Sequence, residues 1–212
     1  MKTSELIAGL AAAAPVRPAR PAARLIVAGM IGAGLALALV AILLGFQPIA
    51  LALRASWFWM KAGYSLSLAL AGLLLLAPLA RPGARPPLVG FVVAVLAVGF
   101  MGMMAAHASM RVPADQRPAL WLGDTWRVCS WRILGLAAPV FLALVVGLRR
   151  LAPTRPRLTG AAAGLAAGGL SAVVYGFYCQ ESAAPFVAAW YSLGVAVSAI
   201  VGAWLGPRLL RW

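Results

Sequence analysis

Six apolar runs, each of about 20 residues, constrain the fold of this 212-residue chain more than any other feature. They cover approximately residues 25–46, 57–80, 88–106, 133–148, 159–178 and 185–205. A run of this length can cross the hydrocarbon core of a bilayer. Because no water is available there, backbone polar groups must be satisfied within each segment, which favours helices. The sequence therefore predicts an all-α, polytopic membrane protein with six transmembrane helices.

The composition supports a membrane protein and argues against a nucleic-acid-binding one. Hydrophobic residues make up 64% of the chain and charged residues only 10%, a balance that a soluble domain of this size could not bury. A formal net charge of +14 would suggest nucleic acid as a partner in a soluble protein. Here the arginines lie almost entirely between the apolar runs. The lipid bilayer is the expected surrounding, with no direct contact to nucleic acid.

The basic residues divide unevenly between the two sets of alternating connections. One set, which includes both termini, holds twelve: Lys2, Arg17, Arg20, Arg24, Arg81, Arg85, Arg149, Arg150, Arg155, Arg157, Arg208 and Arg211. The other holds six, Arg54, Lys61, Arg111, Arg117, Arg127 and Arg132, together with three of the four acidic residues. Cytoplasmic connections collect Lys and Arg. Both termini are therefore predicted to be cytoplasmic.

This orientation divides the chain into a cytoplasmic arm (1–24), a six-helix transmembrane domain (25–207) and a cytoplasmic tail (208–212). In the arm, TSELIAGLAAAA can form a short amphipathic helix with Leu6, Ile7 and Leu10 on one face. PVRPARPAAR follows, and its prolines favour an extended tether. Two interpretations remain open: a docking helix on a spacer, or an unstructured tail whose arginines set the topology.

Small residues recur every four positions in the last two runs. They are Gly160, Gly164 and Gly168 in the fifth, and Gly194, Ser198, Gly202 and Gly206 in the sixth. Such faces let helix backbones approach closely in lipid. We expect these two helices to pack tightly, most simply against each other, and to hold Cys179 in a short, constrained turn.

The unusual polar residues fall on the predicted outer face. Cys129 precedes the fourth run and Cys179 follows the fifth, and His107, Asp124 and Glu181 lie on the same side. Thiolate, imidazole and carboxylate are ligand types of zinc and softer metals, but no CxxC or HxxxH spacing defines a site. The two cysteines are either a reactive or metal-binding pair or two unconnected structural residues. No resident cofactor is expected, and a transient soft metal at Cys129 and Cys179 is one alternative.

An enzyme is not expected. The chain has no phosphate loop and no HExxH motif, and its single histidine leaves no plausible serine triad. A small metal or metabolite transporter is disfavoured because no run has an ionisable residue near its centre. A membrane thiol oxidoreductase that passes electrons to quinone would usually need a second, exchangeable cysteine pair.

Two segments resemble the NrsF-like membrane anti-sigma factors, a family named for negative regulation of sigma F. They are WRVCSWRILGLAAPVF (126–141) and YCQESAAPFVAAWYSLGVAVSAIVGAWLGPRLL (178–210). The resemblance extends more loosely to the six spans and to ELIAGLAAAAPVRP near the N-terminus.

The resemblance implies a protein of the bacterial inner membrane that sequesters an extracytoplasmic-function sigma factor, and so regulates transcription in a stress response. Cys129 and Cys179 would sense thiol-reactive or soft-metal stress, either as a disulfide or as a metal-bridged pair. Glu181 would tune Cys179 or join it on a metal. Sigma binding would use the helix of the arm, with Leu6, Ile7 and Leu10 in a groove of the partner.

Overall fold

The computed structural model describes Thr3 and residues 21–83, 85–149, 151 and 153–210. Within them, six helices are long and apolar enough to cross a membrane, which confirms the all-α, six-span prediction. They are α1 (Pro21–Leu43), α2 (Ser56–Leu79), α3 (Leu88–Met110), α4 (Trp126–Leu148), α5 (Pro156–Tyr175) and α6 (Ser192–Leu209). The predicted docking face, Leu6, Ile7 and Leu10, lies outside the described residues.

Short helical segments connect some of these spans. Ile49–Ala52 lies between α1 and α2, and Arg117–Leu122 lies between α3 and α4. After α5, a single turn (Ala184–Phe186) runs into a π-helical turn (Val187–Tyr191) that continues directly into α6.

The start of α4 differs most from the sequence prediction. The apolar run begins at residue 133, but the helix begins at Trp126, with Thr125 in the N-cap position. The added residues include polar side chains that are not buried without a partner. Arg127 is exposed, and the Arg132 guanidinium lies over the Tyr178 ring, 5.0 Å from its centroid. Cys129 was expected in the connection before the span, and this was wrong: it lies in the first turn of α4.

The start of α1 also differs. Residues 21–24 are helical and belong to the first span, rather than to the end of an extended tether.

Helix α5 lies at the centre of the bundle. It packs against α6, α2, α4 and α1, and 72% of its span is buried within the protein, against 28% for α1 and 17% for α3. Its sequence consists largely of Ala and Gly, so four neighbouring helices can approach it. The exposed apolar side chains of α1 and α3, which lie at the periphery, suit a surface in contact with lipid.

The predicted contact between the last two spans is confirmed. A Cβ atom on Gly160 would lie 2.2 Å from the carbonyl oxygen of Gly202, and one on Gly164 would lie 2.2 Å from that of Ser198. Only glycine allows the two backbones to approach this closely. Gly194 is the exception on the α6 face, since a Cβ there would meet Ile133 of α4.

Replacing Gly164 with valine should lower the thermal stability of the protein in detergent, because the side chain would push α6 away. Overpacking of this kind usually costs about 1–3 kcal/mol, and more where backbone must move. Gly135→Val on α4 is the matched control, because nothing lies within 4 Å of a Cβ at that position. Melting followed by gel filtration would compare the two variants, and equal loss of stability in both would contradict the contact.

Candidate functional site

The turn between α5 and α6 carries Cys179 and Glu181, and hydrogen bonds from Gln47 and Lys61 hold it in place. The last carbonyls of a helix have no partner within the helix. The Gln47 side chain donates to Gly176 O at 2.9 Å, and its backbone N–H donates to Phe177 O at 3.1 Å. Lys61 Nζ donates to Cys179 O at 2.7 Å. The connection before α2 and the first turns of α2 therefore fix the position of the turn.

Lys61 is the most unusual of these residues, because it is a buried cation. Its side chain is only 1% exposed, and Nζ lies 4.5 Å from the centroid of the Trp57 ring. A positive charge is favourable beside the C-terminus of a helix, and an aromatic face adds further stabilisation. From the sequence, Lys61 was predicted only to be one of six basic residues on the side opposite the termini. The available signal was its spacing: Trp57 stands four residues before it on the same helix face.

Glu181 joins the same turn to the start of α4. One carboxylate oxygen, Oε1, accepts hydrogen bonds from the backbone N–H of Asp124 at 2.9 Å and from the N–H and Oγ1 of Thr125, both at 3.0 Å. In a capping box, a glutamate within the first turn bonds the N-cap N–H. Here a residue 56 positions away does so, and its charge favours the N-terminal end of α4.

Gly123 makes room for this carboxylate. Its φ of +58° lies in the left-handed region, where residues with a side chain are strained. A Cβ there would also lie 2.7 Å from Glu181 Oε2 and 2.6 Å from the Phe186 ring. The close approach of the α3–α4 connection to the α5–α6 turn therefore depends on this glycine.

The two cysteines lie in one buried cluster at this end of the bundle. Cys129 is 0% and Cys179 2% exposed, and both are packed into the core with Tyr175 and Tyr191. Both are free thiols. Cys129 lies beside Tyr175 and Cys179 beside Tyr191. Sequence reasoning found both cysteines but did not predict their burial, because each stands next to polar residues in the chain.

The two tyrosines bring the cysteine-bearing elements together. Their ring centroids are 5.9 Å apart, so the end of α5 packs on the π-helical turn before α6. Both tyrosines are fully buried, and each lies beside one of the two thiols.

The π-helical turn also contacts α4 and the short helix before it. Ser130 Oγ donates to Trp190 O at 2.8 Å, and Trp190 Nε1 donates to Trp121 O at 2.8 Å. The rings of Trp126 and Trp190 are 5.4 Å apart. Trp121 and Trp126 therefore attach the π-helical turn to the segment before α4 and to its first turn.

The remaining predicted residues do not join the cysteines in a metal site. His107 and Asp124 are exposed, and Glu181 Oε1 serves the N-terminus of α4. Across residues 21–83, 85–149, 151 and 153–210, no group of three or more His, Cys, Asp or Glu side chains is arranged to hold a metal ion. The arrangement instead places two buried thiols where the first turn of α4 meets the α5–α6 turn.

Comparison with known proteins agrees with the resemblance noted in the sequence. A protein from Azospira oryzae, the "Probable anti-sigma-F factor NrsF", is 42% identical over 216 aligned positions that cover all of both chains. The "Anti-sigma-F factor NrsF" of Caulobacter vibrioides is 38% identical over the same extent. No solved structure shows significant similarity. Residues 10–212 match the family model described as "Negative regulator of sigma F", and the chain therefore belongs to the NrsF family.

Proposed function

We propose that this protein is an anti-sigma factor of the bacterial inner membrane that sequesters an extracytoplasmic-function sigma factor. It releases the sigma factor when thiol-reactive compounds or soft metals reach Cys129 and Cys179. The observation that carries the anti-sigma role is full-length similarity to two relatives named as anti-sigma-F factors. The observation that supports the sensing role is that both cysteines of the chain are buried, each beside one of two tyrosines whose rings pack together.

Orientation follows from the distribution of charge. The arginine-rich end of the bundle, with both termini, faces the cytoplasm by the positive-inside rule. The cysteine cluster then lies near the periplasmic surface. In a Gram-negative bacterium this compartment is oxidising and is the first that a toxic metal or oxidant reaches.

Because both thiols are buried, modification of either one would be coupled to a change in the packing around it. A reagent reaches either sulfur only when the cluster opens locally. The modified state, a disulfide or a metal-bridged pair, changes the volume and geometry of a closely packed core, and such changes commonly cost about 1–3 kcal/mol. The stimulus therefore favours a different arrangement of α4 against the α5–α6 turn, and its differential affinity for the two arrangements sets the size of the response.

The close contact between α5 and α6 provides a route to the cytoplasmic side. Helix α5 has 20 residues and so spans about 30 Å. Because its backbone touches that of α6 at Gly160 and Gly164, the two helices move as a unit more readily than they separate. A shift of their turn therefore displaces their opposite ends, where a sigma factor held by the N-terminal arm would be released.

Reporter fusions test the orientation. A fusion after Trp212 should behave as cytoplasmic, and a fusion within residues 112–120 should behave as periplasmic, because twelve of the 18 basic residues lie on the side of the termini. Alkaline phosphatase and green fluorescent protein are suitable reporters with opposite requirements. A periplasmic C-terminus would reverse the orientation and expose the cysteine end to the cytoplasm.

Serine at either cysteine should abolish release of the sigma factor under thiol-reactive or soft-metal stress, because neither a disulfide nor a metal bridge forms with one sulfur. The measurement is a sigma-dependent reporter, with membrane levels of the protein checked by immunoblot. Cys129→Ala and Cys179→Ala repeat the test without adding a buried hydroxyl group. Ser182→Ala, at an exposed position in the same turn, is the control and should respond normally. A normal response in both single-cysteine variants would place the sensor elsewhere.

The N-terminal arm is the proposed binding element for the sigma factor. Changing Leu6, Ile7 and Leu10 together to serine should weaken binding by orders of magnitude, since each buried side chain of this kind contributes roughly 1.5–3 kcal/mol. Co-purification of the sigma factor with the detergent-solubilised protein measures the effect.

The matched control changes Ala11, Ala12 and Ala13 to serine, which alters the same arm but keeps its large apolar side chains. Unchanged sequestration by the Leu6/Ile7/Leu10 variant would move the binding surface to the cytoplasmic arginine loops. Binding by those loops would weaken steeply with salt, because exposed charges are screened within about 10 Å at 0.1 M ionic strength.

A further inference from the structure

A groove of about 540 Å³ lies at the arginine-rich end of the bundle, between the start of α5 and the end of α6. Its lining consists of two arginines and four apolar residues: Arg157, Ile200, Ala203, Trp204, Pro207 and Arg208. None of these residues takes part in the cysteine cluster, which lies beyond the other end of α5.

The backbone contact between the two helices fixes the shape of the groove. A Cβ on Gly206 would lie 2.2 Å from Pro156 O, and one on Gly202 would lie 2.3 Å from Gly160 O. Arg157 follows Pro156 directly, and Arg208 stands two residues after Gly206. The close contact therefore places Arg157, in the first turn of α5, beside the last turn of α6, which carries Arg208.

The Arg208 side chain is oriented by Trp204. Its guanidinium lies 4.1 Å from the centroid of the indole ring, and one nitrogen donates to Trp204 O at 3.2 Å. An aromatic platform keeps the guanidinium plane in place, and a guanidinium has five N–H donors, so most of them stay available for an external acceptor.

No carboxylate within the described part of the chain neutralises these two arginines. The acids in that part are Asp115, Asp124 and Glu181, all in connections at the end of the bundle remote from the start of α5. The length of that helix, about 30 Å, separates them from the groove. The groove therefore carries two positive charges and suits an anionic ligand.

The part of the groove that Ile200 and Trp204 form is apolar and open to the surrounding medium. Ile200 is 67% and Trp204 63% exposed, and both belong to a membrane-spanning helix. Indole rings prefer the boundary between the headgroups and the hydrocarbon core. A ligand that fits both parts is anionic at one end and apolar at the other.

We propose that this groove binds an anionic phospholipid, with its phosphate between Arg157 and Arg208 and an acyl chain along Ile200 and Trp204. Guanidinium groups bind phosphate oxygens through paired hydrogen bonds, and basic pockets between transmembrane helices bind acidic headgroups. The site exists whichever way the chain is inserted, so it is independent of the sigma factor and of the cysteines.

Native mass spectrometry of the full-length protein, titrated in mild detergent with phosphatidylglycerol or phosphatidylcholine, tests the site. The wild type should retain phosphatidylglycerol preferentially. The double variant Arg157→Gln/Arg208→Gln should bind it about thirtyfold more weakly, since each basic residue near an anionic membrane contributes about fivefold. Arg54→Gln/Arg111→Gln, which removes two exposed arginines at the other end, is the control and should bind as the wild type does.

Two further measurements separate the site from general effects of charge. Arg157→Lys/Arg208→Lys keeps the charge without the paired donors, so it should fold and retain an intermediate affinity. Equal losses in the two glutamine variants would show attraction by net charge and would overturn the proposal. Full displacement of the lipid by inorganic phosphate would indicate a simple anion site and would also overturn it, as would unchanged binding by Arg157→Gln/Arg208→Gln.

Discussion

The backbone contact between α5 and α6 determines most of what is particular to this structure. In lipid, apolar side chains gain little by leaving one apolar environment for another, so close packing of small residues becomes the main attraction between helices. Gly160, Gly164 and Gly202 allow carbonyl oxygens and α carbons of the two helices to touch. This contact sets the width of the turn between them at one end and the position of two arginines at the other.

The turn at the cysteine end is held by polar groups from three distant parts of the chain. Gln47 and Lys61 satisfy carbonyl oxygens after α5, and Glu181 satisfies N–H groups before α4. Gln47 and Lys61 are buried polar side chains, and their burial would be costly without these bonds. Gln47 and Glu181 also complete helix ends whose backbone groups would otherwise lack partners. These bonds surround Cys129 and Cys179, which lie beside Tyr175 and Tyr191.

Much of the fold could be predicted because it depends on local patterns. Apolar runs of bilayer length predicted six helices, and glycine at every fourth position predicted the α5–α6 contact. The start of α4 could not be predicted in the same way, because WRVCSWR contains polar residues that hydropathy places outside a span. It is helical because Glu181 caps it and because the Tyr178 ring and the surface accommodate its arginines. The same limit applies around the cysteines: both are visible in the sequence, but the residues that pack around them come from distant parts of the chain and are not.

Six apolar helices, a basic end and the contact between α5 and α6 could all be predicted from the sequence. These properties follow from hydrophobicity, charge and side-chain size, which each residue carries wherever it stands. The bond from Lys61 to the carbonyl of Cys179 and the capping of a helix by Glu181 from 56 residues away became apparent only in the folded chain. The same is true of the burial of both thiols. Those contacts join residues far apart in the chain, and their existence depends on how α2, α4 and α5 assemble around one another.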